Sequence, residues 1–185
     1  MADTRIQRLA DILVNYSTKV QPGEWVGILG DVAALPLLRE VHDAVVKAGG
    51  NPSVMFTDEY MTRSFARHAN DEQVAWLDPA QSQYYDNADV YPLRRAAQHP
   101  RQHQRRPGAP AKIAAARRRW LDTRMRRAAE GKMKWVGTLF PTEGSAQEAN
   151  MSLEEYETSS SARPCRPGRA GGGLAGDGHD AAKED

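Results

Sequence analysis

The sequence predicts an α/β fold: a mainly parallel sheet flanked by helices, with a disordered basic insert and tail. Three observations predict it. Short apolar runs at 25–31, 52–58 and 133–141 have the length and the flanking turn residues of buried strands. A helical pattern lies between the first two, so strand, helix and strand fit within about thirty-five residues, the span of a right-handed βαβ unit with parallel strands. Two stretches, 92–110 and 158–185, carry no period of either kind.

In order, Asp3 or Thr4 caps a first helix in which Ile6, Leu9, Ile12, Leu13 and Tyr16 recur at helical spacing. "QPGE" is a turn before the strand "WVGILGD". Pro36 falls in the first turn of the second helix, where its missing N–H is harmless, and Leu37, Leu38, Val41, Val45 and Ala48 form the buried face. Gly49-Gly50 ends it, and "PSVMFTD" is the second strand. "EYMTRSFARHA" and "NDEQVAWLD" are helical, the latter capped by Asn70, and "ADVY" (88–91) begins a third strand.

From Pro92 to Ala111, fourteen of twenty residues are Arg, Pro, Ala or Gly, and prolines break any helix. Order resumes in "KIAAARRRWLDTRMRRAAEG", where Ala114, Leu121, Met125 and Ala128 share a face flanked by Ile113 and Trp120, closing at Gly131. "MKWVGTLFP" is the last strand. Ser152 with Glu155 is a capping box opening a further helix. After Glu157 the text turns to Ser, Arg, Pro and Gly, sixteen of the last twenty-eight residues being Arg, Pro, Ala or Gly. That composition cannot offset about 1–2 kcal/mol per residue of backbone ordering, so disorder is expected. The chain thus divides into an α/β domain at 1–91, an irregular basic segment at 92–110, a helix–strand–helix start at 111–157 and a tail at 158–185.

The 185 residues suffice for about one domain, and the net charge of +1 points to no particular partner. The single cysteine, Cys165, excludes an internal disulfide framework and suits a reducing, cytoplasmic compartment. No apolar run approaches the ~20 residues that span a bilayer.

Candidate chemistry is sparse. His99 and His103 have metal-sharing spacing, but Pro100 lies between them and no carboxylate is near. Glu40, His42 and Asp43 diverge around a helix and read as a solvated face. Gly27 and Gly30 lack dinucleotide-loop spacing, while Asp31 sits at the carboxyl end of a strand, where α/β ligands gather, or simply caps a turn. Cys165 has no base beside it. Arg94, Arg95, Arg101, Arg105 and Arg106 precede a helix carrying Arg117, Arg118, Arg119, Arg124, Arg126 and Arg127, a basic run able to hold phosphates or to form a solvated face.

"GEWVGILGD", "AGGNPSV", "NADVY" and above all "KWVGTLFPTEGSAQEANMSLEEYE" are similar to the N-terminal region of the thermophilic, leucyl-type metalloaminopeptidase family. The last stretch matches the family pattern at Pro141, Thr142, Ala146, Gln147, Ala149, Met151, Ser152, Glu155, Tyr156 and Glu157. The resemblance covers about 1–91 and 111–157. It implies removal of N-terminal amino acids from peptides by two divalent ions (zinc, cobalt or magnesium), and an N-terminal domain that shapes access to the cleft and contributes to a homodimer. The family's Glu, His, Asp and Tyr ligands lie in a later half, so the resemblance transfers no catalytic or metal residue here. No cofactor is expected on this chain, and it is expected to be inactive alone. Because Arg, Pro, Ala and Gly codons are GC-rich, 92–110 and 158–185 are expected to be out-of-frame readings. The alternatives are a basic nucleic-acid-associating protein and a non-catalytic oligomerisation module.

Overall fold

The computed structural model describes residues 3–95 and 109–161. Its elements are α1 (Thr4–Asp11), a π-helical turn (Ile12–Ser17), β1 (Trp25–Asp31), a 3-10 turn (Val32–Ala34), α2 (Leu35–Lys47), β2 (Asn51–Thr57), α3 (Glu59–His68), α4 (Asp71–Ala75) and α5 (Pro79–Asn87). They continue with β3 (Val90–Arg95), α6 (Ala109–Ala129), β4 (Lys134–Leu139), α7 (Glu143–Glu148) and α8 (Leu153–Ser161). The four strands form one sheet in the order β2-β1-β3-β4, every pair parallel. The predicted α/β class is what the chain adopts.

Strand alternation sorts the core into two layers. Val26 and Ile28 of β1, Val90 of β3 and Val136 of β4 meet Leu13, Val14, Leu37, Leu38, Val41 and Val45 on the α1/α2 face. Each such buried aliphatic contributes about 1.5–3 kcal/mol. Leu29, Tyr91 and Trp135, the alternate residues, meet Tyr84, Tyr85, Trp120 and Met133 on the α5/α6 face. Two glycines of β1 admit this packing. A Cβ on Gly27 would lie 2.3 Å from the Tyr84 ring, and one on Gly30 would lie 2.5 Å from Leu38.

Asp89 aligns the strand starts. Its carboxylate accepts from the Trp25 N–H at 2.8 Å, its own N–H donates to the Trp25 carbonyl, and its carbonyl accepts from the Lys134 N–H. Lys134 Nζ adds an ion pair with Glu24 at 2.7 Å.

Several expectations shift. Asp3, not Thr4, caps α1, accepting from the Arg5 N–H. The π turn inserts a residue into the helical frame, which sends Leu13 and Val14 inward and leaves Tyr16 exposed. α5 was not anticipated, although Asp78 before Pro79 is a cap-and-proline start. β3 continues past Tyr91 to Arg95, pairing with β4 as far as Leu139, so regular structure reaches beyond the expected break at Pro92. α6 begins at Ala109, and α8 continues past Glu157 to Ser161. His99, His103, Arg101, Arg105, Arg106 and Cys165 lie outside the described residues.

The buried face of α6 is rotated from the predicted one. Ala114, Leu121 and Met125 are exposed, while Trp120 is buried and Arg127 turns inward. The guanidinium explains it: Arg127 donates to the carbonyls of Tyr85 (3.1 Å), Ala88 (2.8 Å) and Lys132 (3.2 Å), closing the end of α5 and the turn after α6. A pattern that treats Arg as outward-facing misplaces such a helix.

Candidate functional site

Strand order locates the place to look. The chain passes from β1 to its neighbour β2 on one side, then returns to β3 on the other side of β1. The connections diverge beyond the carboxyl ends of β1 and β3, and open parallel sheets bind ligands at such switch points.

A pocket opens here on the α5/α6 face. It is a half-open cleft of about 310 Å³ lined by Leu29, Thr57, Gln81, Tyr85, Arg117, Trp120, Leu121 and Arg124. Its wall is an aromatic stack: Trp120 lies nearly parallel to Tyr85, 14° and 5.6 Å between ring centroids, and Tyr91 packs on Tyr85 at 5.0 Å. The stack is fixed by polar contacts, Trp120 Nε1 donating to Ser82 Oγ at 3.0 Å and the Tyr91 hydroxyl to that of Tyr85 at 3.0 Å. Burial, reinforced by Tyr85, pushes the Tyr91 phenol well above its ordinary range, so it stays neutral.

Arg124 completes the wall, its guanidinium 5.0 Å from the centre of the Trp135 ring. Its Nε is buried and has no hydrogen-bond partner among the described residues. Among the described residues the lining contains two arginines and no acid.

The acids at the carboxyl ends are engaged locally. Asp31 accepts from the Ala33 N–H at 2.9 Å, Asp58 caps α3 through the Met61 N–H at 3.0 Å, and Glu59 lies 3.7 Å from Arg63. Burial raises the Asp31 carboxyl, helped by the charges of Asp58 and Glu59. Of its two sequence readings, Asp31 thus fills the turn-capping role.

The other flagged residues disperse. His42 meets only its neighbour Asp43, at 3.4 Å on an exposed face, so Glu40, His42 and Asp43 form no ligand set. The basic face of α6 is partly spent on structure: Arg127 caps carbonyls, Arg124 stacks on Trp135, and Arg118 pairs with Asp122 at 3.8 Å. Nothing in the sequence signalled Gln81 and Tyr85 of α5 or Thr57 of β2; Trp120, Leu121 and the arginines stood out.

The stretch that carried the resemblance is a helix corner. Thr142 caps α7 through the Ser145 N–H at 3.2 Å, Ala146 is buried, and Asn150 turns the chain at φ +53°. Ser152 and Glu155 exchange their bonds, the Ser152 N–H reaching Glu155 at 2.8 Å and the Glu155 N–H reaching Ser152 at 3.2 Å, which starts α8 as expected. Those bonds hold the Glu155 carboxyl below its usual range.

Comparison with known proteins fits this architecture. The family model described as thermophilic metalloprotease (M29) matches residues 2–163. The chain belongs to that family. Among solved structures, wild-type AmpT from Thermus thermophilus is similar with a TM-score of 0.68 at 15% identity, over 85% of this chain and 41% of that one. This likeness is one of fold, and the chain spans well under half of the AmpT length. Apo MatB from Rhodopseudomonas palustris aligns over 88% of this chain and 23% of its own at 14% identity, with a TM-score of 0.33. No curated protein matches.

A metalloprotease family implies metal, and the described residues do not fit one. Among them no three His, Cys, Asp or Glu side chains come together as a possible ligand group. A structural zinc takes four protein donors and a catalytic zinc three. No helix among them is long and apolar enough to cross a membrane.

Proposed function

We propose that this chain is the N-terminal scaffold portion of a metal-dependent aminopeptidase, an enzyme that removes N-terminal amino acids from peptides, and that it hydrolyses no peptide by itself. The family match across residues 2–163, joined to the absence of a ligand group among the described residues, carries the reading. Two divalent ions, zinc, cobalt or magnesium, would supply a polarised carbonyl and an activated water in the whole enzyme. The residues that grip them belong to a portion outside this α/β unit. The unit itself offers a rigid parallel sheet, a helix corner at 142–152 and exposed apolar side chains such as Phe56, Tyr60 and Met61 for contacts in a larger assembly, including a homodimer. The lone cysteine favours a reducing, cytoplasmic setting.

The test is hydrolysis of Leu-p-nitroanilide by the pure 185-residue chain with added cobalt or zinc. The expected rate equals that of the metal alone; turnover that scales with protein refutes the proposal. Nucleic-acid association remains the second reading, resting on Arg119 and Arg126 on the exposed side of α6. A filter-binding titration at two salt concentrations separates them, since phosphate contacts weaken steeply with salt.

A further inference from the structure

The pocket at the switch point has no part in peptide hydrolysis as proposed above, yet its chemistry converges. Four elements contribute: Leu29 from β1, Thr57 from β2, Gln81 and Tyr85 from α5, and Arg117, Trp120, Leu121 and Arg124 from α6. Its volume of about 310 Å³ is at the small end of ligand sites, enough for a compact metabolite and too small for a peptide chain.

We propose that this pocket binds a small organic oxyanion, a carboxylate or phosphate ester bearing a compact apolar body. Charge decides the first half. Arg117 and Arg124 enter the lining with no acid beside them among the described lining residues; Asp31 and Asp58 cap turns through the Ala33 and Met61 N–H groups, Glu59 lies 3.7 Å from Arg63, and Asp122 lies by Arg118. The Arg124 plane is held by Trp135, and its Nε lacks an acceptor. A desolvated guanidinium N–H without an acceptor is costly, and an oxyanion entering edge-on relieves it with a charge-assisted, forked pair of hydrogen bonds. The Thr57 hydroxyl, which is only loosely engaged with the Gly30 carbonyl at 3.4 Å, supplies a further donor, and Gln81, whose side chain also meets the Tyr91 hydroxyl, borders it. The second half follows from Leu29, Leu121 and the Trp120–Tyr85 stack, an apolar wall with no polar group left to satisfy on the Trp120 indole.

The experiment titrates the full 185-residue chain with phenylacetate, phenyl phosphate, inorganic phosphate and neutral phenylacetamide, by calorimetry and by tryptophan fluorescence. Trp120 lines the site and Trp135 lies against Arg124, so tryptophan fluorescence responds to occupancy. Saturable binding of phenylacetate or phenyl phosphate, with Kd of about 0.1–1 mM, is expected. The stronger of the two identifies carboxylate or phosphate as the preferred head. Phenylacetamide should bind about tenfold or more weakly, and inorganic phosphate likewise, because each lacks one half of the match. Arg124→Gln should weaken binding about tenfold with the circular-dichroism spectrum unchanged. If Arg124→Gln does not fold, Arg117→Gln decides, weakening supporting the site and unchanged affinity overturning it. No saturation up to about 10 mM, or equal affinity for phenylacetamide and phenylacetate, overturns the proposal.

Discussion

Gly27→Ala tests the packing of the α5 face on the sheet. Gly27 is buried in the middle of β1, and an added Cβ would stand 2.3 Å from Tyr84 Cδ1 and 2.9 Å from Cε1, against an ordinary contact that begins at 3.4 Å. The ring must therefore retreat by about 1 Å, but it lies 5.2 Å from the Trp25 ring and on a helix whose end is clamped by Arg127. Overpacking of this kind costs about 1–3 kcal/mol. With a urea slope of about 1–3 kcal/mol per molar for a chain this size, the midpoint should fall by roughly 1 M. Tyr84→Ala removes the obstacle, so in that background Gly27→Ala should cost little. The double-mutant cycle should then give a coupling of at least about 1 kcal/mol. Urea denaturation followed by circular dichroism measures it; purely additive losses would refute the contact.

Asp89→Ala removes the acceptor that joins the start of β1 to β3, leaving the Trp25 N–H unsatisfied, and should cost about 1–3 kcal/mol by the same assay. Arg127→Met strips three carbonyls of their donor and should destabilise by a similar 1–3 kcal/mol, whereas Arg119→Met on the exposed side of α6 should be nearly neutral. Burial raises the Asp31 carboxyl, so the folded state holds its proton more tightly than the unfolded chain. Its contribution is therefore full below pH 3.8 and declines as pH rises through the elevated folded value. Asp31→Asn, which keeps an acceptor for the Ala33 N–H, should match the parent at low pH and equal or exceed it at pH 7 in thermal melts. Translating the gene in all three frames tests the out-of-frame proposal: an alternative frame should extend the family pattern after Glu157, and its absence there and across 92–110 would end the idea.

Much of the scaffold was legible because local signals agreed with tertiary demands. "WVGILGD" has the apolar character of a strand covered on both faces, "PSVMFT" is a strand at the sheet edge with Phe56 exposed, and Pro36 and Gly49 bracket α2 where the chain begins and ends it. Gly27 was visible as a glycine within a strand, but its reason, the Tyr84 ring, lies 57 residues away on a helix that was not foreseen. α6 was misphased because an arginine that caps carbonyls and one that stacks on Trp135 are indistinguishable in sequence from solvated ones. Tyr16 was misassigned because a π turn changes the period locally, and nothing in "ILVNYS" signals it. The pocket was invisible for the same reason as most sites: its walls are assembled from four elements by the strand order, and strand order is a property of the whole chain.

Equilibrium dialysis of the purified 185-residue protein against zinc and cobalt, with bound metal counted by atomic absorption, addresses the central proposal most directly. Metal retention near zero at micromolar free ion is predicted, since no ligand group forms among the described residues. Two ions retained per chain, lost on substituting residues within 3–95 or 109–161, would contradict it.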